Sequence, residues 1–146
     1  MNALYGIPAA AACVTGKRGA QISGSVAFYI HRRGTMVVAD ISGLPDTDGG
    51  FYGFHIHEGS NCRGENFANT GGHYDPEGRE HPNHAGDLPP LLSCRGKAFM
   101  AVMTNRFRPE EIIGRTVVIH SKPDDFRSQP SGDSGEKIAC GVIRKI

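Results

Sequence analysis

Apolar and β-branched residues fall along the chain in short runs, each closed by a turn signal. Between Gln21 and His31 the apolar positions Ile22, Val26, Phe28 and Ile30 share one parity, as in a strand with one face in a core. Ala11–Thr15, Thr35–Ile41, Phe51–Glu58, Lys97–Thr104, Arg115–Ser121 and Ile138–Ile143 have the same character. Gly43-Leu44-Pro45 and Asp48-Gly49-Gly50 punctuate them. No long amphipathic helix competes. One helical connector is expected where Pro109 opens, Glu110 and Glu111 suit the positive end, and Gly114 closes. The pattern predicts an all-β chain, an antiparallel sandwich or barrel.

Two stretches break it, Ser60–Gly96 and Ser121–Lys137. The first is far longer than an ordinary connection, so it needs a function or is disordered. A length of 146 residues with 38% hydrophobic content fits one domain, 1–146, with a sizeable core. The net charge of +1 gives no general electrostatic case for nucleic acid or an anionic membrane. No apolar run approaches the roughly 18 residues of a membrane span. The start, MNALYGIPAAAACVTG, lacks the basic leader and apolar segment of a secretory signal. It points to the cytoplasm, or outside it if a leader has been trimmed.

The four cysteines, Cys13, Cys62, Cys94 and Cys140, form no Cys-x-x-Cys pair. That argues against a zinc finger or a thioredoxin-like redox pair, and four buried thiols are the plain expectation inside a cell. Cys13 lies in a strand-like run and is expected to be packed; Cys94 lies in a turn.

Histidine placement adds chemistry. In Gly53-Phe54-His55-Ile56-His57-Glu58-Gly59, an extended chain sets His55 and His57 side by side and turns Ile56 the other way. Two neutral imidazoles on one face are half of a transition-metal site, whereas two protonated ones would repel. Alone, such a pair is as readily a chance arrangement on a solvated face. Five more histidines exist: His31, which opens the turn Arg32-Arg33-Gly34 and reads as solvated, and His73, His81, His84 and His120. Three of them lie in the Gly- and Pro-rich span 71–88, with Asp87 three residues after His84. Three histidines and an aspartate suit four-coordinate zinc. His55, His57, His120 and one shared histidine make a nitrogen-only set suited to Cu(II).

The segments GFHIHEG at 53–59, GGHYDP at 71–76, HAGDL at 84–88, GRTVVIH at 114–120 and GEKIACGVI at 135–143 together resemble the Cu/Zn superoxide dismutase family, in its bacterial form with short loops. The resemblance implies an eight-stranded antiparallel Greek-key β-barrel with two long functional loops. It implies copper held by His55, His57, His73 and His120, and zinc held by His73, His81, His84 and Asp87, with His73 bridging. It matches Asp124 to a carboxylate joining His55 to His81, and pairs Cys62 with Cys140, a closure worth about 4.5 kcal/mol on the loop-entropy model. The implied substrate is superoxide, disproportionated to dioxygen and hydrogen peroxide by one-electron copper cycling, and a homodimer stays open.

His73 and Lys137 are the residues the resemblance implicates in catalysis. Lys122, Arg127 and Lys137 are the cations of the loop overhanging copper, and Ser131 a residue of its rim. Two departures stand out. The short spacings His81-x-x-His84-x-x-Asp87 let one compact turn wrap the zinc, whereas many members have a longer insert between the first two of these ligands, which bears on zinc affinity here. Lys137 also occupies the position of the family's arginine, keeping charge without the planar fork, and Glu136 is expected to offset part of that charge. A catalytically weak or inactive copper/zinc-binding relative, a metal-handling module, is therefore the alternative. A zinc hydrolase fits less well, because such sites usually place an aspartate two residues after the second histidine, where this chain has Gly59.

Overall fold

The computed structural model describes residues 6–146; the first five residues, part of the stretch read for a leader, lie outside the described residues. Among the described residues nine strands form: β1 (Ala10–Gly16), β2 (Ser23–His31), β3 (Gly34–Ser42), β4 (Phe51–Tyr52), β5 (Phe54–His57), β6 (Leu91–Leu92), β7 (Ala98–Thr104), β8 (Thr116–His120) and β9 (Lys137–Lys145). Seven make one curled antiparallel sheet in the order β5-β8-β9-β1-β2-β3-β7, and β4 pairs with β6. β4 runs directly into β5 and β6 packs beside β7, so the small pair links the two edges of this half-barrel. The expected connector is a 3-10 turn at Pro109–Glu111, and Gly114 beyond it has φ +86°. Among the described residues no helix is long and apolar enough to cross a membrane.

The seven predicted runs all appear as strands. Phe51–Glu58 divides at Gly53, whose N–H donates to Lys122 O while its carbonyl accepts from the His120 N–H. These bonds tie Gly53 to the segment around His120 instead of to a strand ladder. β6 follows Pro89-Pro90 and carried no strand signal.

Alternation fills the core as expected. Val26, Phe28, Val37, Ile41, Phe54, Ile56, Val117, Ile119 and Ile143 are all 0% exposed. Each contributes about 1.5–3 kcal/mol of apolar burial. Ile30 is a correction: it has the core parity but is 63% exposed, because it lies past the last residues that the core covers at that end of β2. Cys13 is another, exposed rather than packed, since Ala12 and Val14 take the inward direction on β1.

The outer face of β5 and β8 is also buried, and this positions the site. The register pairs Phe54 with Ile119 and Ile56 with Val117 inward; His55 pairs with Val118 and His57 with Thr116 on the opposite face. The long loop covers that face by docking on the free edge of β5. Tyr74 N–H donates to Ile56 O at 2.8 Å, Ile56 N–H to Gly86 O at 2.9 Å and Gly86 N–H to Tyr74 O at 2.9 Å. Glu58 N–H reaches Gly72 O at 2.9 Å, and Gly59 N–H reaches Thr70 O at 2.8 Å. The otherwise unpaired edge of β5 is thereby satisfied.

The docking leaves no room for a side chain at Gly86, where a Cβ would lie 2.3 Å from Ile56 O. Gly86→Ala should therefore lift the loop and cost about 2 kcal/mol or more. Thermal unfolding of metal-free protein checks this, and an unchanged midpoint would show that the loop yields freely.

Candidate metal centre

β5 delivers His55 and His57 on one face, and His120 stands at the end of neighbouring β8. The docked loop brings His73 opposite His57 and Asp87 opposite His55, each as an isolated antiparallel bridge. His81 and His84 follow on the turn before Asp87. Two groups result, His55, His57, His73 and His120, and His73, His81, His84 and Asp87; within each, the candidate ligand atoms lie within 4.8 Å of one another. All seven side chains are buried, none more than 9% exposed.

Which atoms face inward is fixed from outside. Asp124 accepts from His55 Nε2 at 2.7 Å and from His81 Nε2 at 2.8 Å. His57 Nδ1 donates to Gly71 O at 2.9 Å, leaving its Nε2 3.1 Å from His120 Nε2. In the second group His73 Nδ1 lies 2.7 Å from Asp87 Oδ1, and His81 Nδ1 and His84 Nδ1 each lie 3.1 Å from Asp87 Oδ2. His55 Nδ1, His73 Nε2 and His81 Nδ1 are buried without any hydrogen-bond partner. Buried polar atoms seldom go unpaired, and these three point into the two groups. One group offers only nitrogen, the other three nitrogens and a carboxylate, so the residues fit copper and zinc respectively.

Burial keeps His55, His57 and His120 neutral, as ligands must be. It lowers His55 to about 4, against the hydrogen bond His55 donates to Asp124, which works upward. Burial, then the charge of His55 and His73, lowers His120 to about 3, and His57 is also pushed well down. For Asp87 burial acts upward, but the His73 hydrogen bond and neighbouring imidazoles leave it below its usual value. Asp124 behaves likewise and falls to about 2, its carboxylate bonded by His55, His81 and the Phe126 N–H.

Lys137 reaches the rim of the first group. Its Nζ donates to Thr70 Oγ1 at 2.8 Å and to Gly71 O at 2.9 Å, the same carbonyl that holds His57. Burial lowers its pKa, and its charge in turn helps lower His57 and His120. Glu136 does not offset it as expected: it lies 3.6 Å from Lys17 Nζ, since adjacent residues of an extended chain point apart. Arg127 acts on Asp125, Lys122 is exposed, and Ser131 O accepts from Ser134 Oγ. His31 lies outside both groups, its Nδ1 accepting from the Arg33 N–H. The sequence marks Thr70 and Gly71 only by their place just before Gly72-His73. Cys62 and Cys140 form the disulfide, tying the long loop to β9, and Cys94 is a free exposed thiol.

A curled β-sheet whose outer face carries two polar groups joined through one histidine defines the class. Residues 22–143 match the sequence model of copper/zinc superoxide dismutase (SODC). A Cu-Zn superoxide dismutase of Deinococcus radiodurans is 34% identical, covering 86% of this chain and 79% of its own. Superoxide dismutase (Cu-Zn) 4 of Dictyostelium discoideum is 36% identical, with 93% and 98% covered. The crystal structure of a SOD-like protein from Bacillus subtilis superposes with a TM-score of 0.78 at 27% identity, covering 90% of this chain and 96% of that one. This chain belongs to the copper/zinc superoxide dismutase family.

The buried neutral imidazoles set a pH dependence. His55 and His120 take protons near 6.5 when unfolded but only at about 4 and about 3 when folded. The unfolded state therefore binds more protons below 6.5, and their contribution is complete above that pH and lost as pH falls toward the folded values. Metal-free protein should lose up to about 1.4 kcal/mol per pH unit for each such imidazole between about pH 6 and pH 4.5. Denaturant titrations across that range check this; a flat profile would refute burial of neutral rings.

Proposed function

We propose that this chain dismutates superoxide. Copper would be held by His55 Nδ1, His57 Nε2, His73 Nε2 and His120 Nε2, and zinc by His73 Nδ1, His81 Nδ1, His84 Nδ1 and Asp87. The observation that carries the reading is His73, whose two nitrogens serve different groups: Nδ1 faces Asp87 and Nε2 is left over toward His55, His57 and His120. Bound copper supplies the one-electron couple that turns two superoxide ions and two protons into dioxygen and hydrogen peroxide, while zinc has no redox chemistry. Asp124 orients His55 and His81 together, so one carboxylate sets ring direction in both halves. Lys137 draws the anion inward. Two of its three N–H bonds hold Thr70 and Gly71, and one remains for a small anion.

The supporting architecture is read as one domain, 1–146, because one core runs through the described residues and takes in both the seven-stranded sheet and the β4–β6 pair. The Cys62–Cys140 bridge favours an oxidising compartment over the cytoplasm that the N-terminus suggested. A metal-handling relative without strong catalysis is the second reading, favoured by lysine in place of the family's arginine. Metal analysis beside an activity assay separates these. One copper and one zinc per chain with dismutation is expected; both metals without dismutation would select the second reading, and a single metal per chain would sink the bridged site.

Lys137 provides a sharper check. Lys137→Gln should lower the superoxide rate constant about tenfold at low salt and flatten its salt dependence, as removal of a guiding charge requires. Lys137→Arg should raise the rate with the salt dependence kept, since the fork adds a donor without adding charge. Stopped-flow decay at matched copper content decides: equal rates for all three proteins would show that Lys137 guides nothing.

A further inference from the structure

The turn carrying His81, His84 and Asp87 follows a stretch, residues 76–80, that is exposed throughout and gives it little apolar anchorage. Its internal bonds are few: Asn83 N–H to Glu80 O at 2.7 Å, His84 N–H to Asp87 Oδ2 at 3.0 Å, and Asp87 N–H to His84 O at 3.1 Å. Two side chains from elsewhere grip its main chain. Gln129, on the loop between β8 and β9, accepts from His81 N–H through Oε1 at 2.9 Å and donates to His81 O through Nε2 at 2.7 Å. Arg106, just after β7, donates through Nη1 to Pro82 O at 2.7 Å and to His84 O at 3.1 Å. The carbonyls of His81, Pro82 and His84 thus all accept from side chains outside the turn, His84 O sharing its place with the Asp87 N–H.

We propose that Arg106 and Gln129 are positioning residues for the zinc half of the site, holding the His81–Asp87 turn in ligand geometry before metal arrives. The inference rests on the two-metal reading. A turn that is mobile without metal must be ordered when metal binds, and that entropy is subtracted from affinity. Held at three carbonyls and one amide, the turn is ordered beforehand. Gln129 is matched to its task because a carboxamide carries donor and acceptor side by side, the complement of one residue's N–H and C=O. Arg106 adds a positive charge near a dication site, but it is exposed, so water screens it, and its Nη1 protons are committed to carbonyls. Packing anchors the far end of this short segment, through Ala85 and Leu88 against the core, and the external grip holds its near end, His81–His84.

The test uses the full-length, disulfide-intact protein. Zinc affinity is measured by chelator competition, Co(II) reports ligand geometry at the same half-site through its visible bands, and amide exchange at His81 is followed without metal. Arg106→Ala and Gln129→Ala should each weaken zinc binding about tenfold. Arg106→Lys should recover most of the loss, because a single nitrogen serves both carbonyls. Gln129→Glu, which keeps the acceptor and loses the donor, should fall between Gln129 and Ala. In metal-free Gln129→Ala the His81 amide should exchange faster, and Co(II) bands should weaken and broaden in both alanine variants. Zinc affinity equal to that of the parent in both variants overturns the inference. So does an equal loss of copper affinity at the other half-site, which would mean general destabilisation. A parent protein that binds no second metal would instead overturn the two-metal reading beneath it.

Discussion

The free edge of β5 is the constraint on which the site depends. An edge strand must satisfy its outward N–H and C=O groups or invite another chain to do so. Here the chain's own long loop supplies the partners, through Thr70, Gly72, Tyr74 and Gly86. That solution costs conformational freedom, since the loop contributes little regular structure. In return, side chains far apart in sequence are registered against His55 and His57 with the accuracy of a sheet. The metal centre is built by strand-like docking, although four of its seven candidate ligands come from a loop.

The parts of the site legible in the sequence were those written in local spacing. His55 and His57 at i and i+2 can only share a face of a strand, and a polar span with three histidines and Asp87 demands a ligand to order it. The resemblance supplied what spacing could not, the sharing of His73 and the pairing of Cys62 with Cys140. The strand pattern was legible for the same local reason, and it erred where tertiary context decides. Ile30 has the right parity but lies beyond the covered region, and Cys13 sits in a strand on the wrong face. β6 is two residues long and exists because β4 pairs with it. Grips such as Gln129 on His81 join a loop to a loop 48 residues away, and no periodicity announces them.

Neutral, buried imidazoles are costly. Three ring nitrogens are left without hydrogen-bond partners, and desolvation holds His55, His57 and His120 below their ordinary protonation range. The aliphatic face of the sheet bears none of this; the cost falls on the outer face of β5 and β8 and the loop that covers it, where the disulfide, Asp124 and the β5 edge bonds offset it. Stability and chemistry are thus divided between the two faces of one sheet. The inner face carries the aliphatic core, and the outer face carries an arrangement that would be unfavourable without support.

Gly71 O accepts from both His57 Nδ1 and Lys137 Nζ. A ring of the nitrogen-only group and the cation at its mouth are therefore surveyed from one fixed point. When the loop fluctuates, both are carried the same way, and their separation changes less than either position does. Errors of placement are correlated instead of independent. For an encounter that must happen at one spot on a rim built from a loop, tolerance of this kind matters more than stiffness.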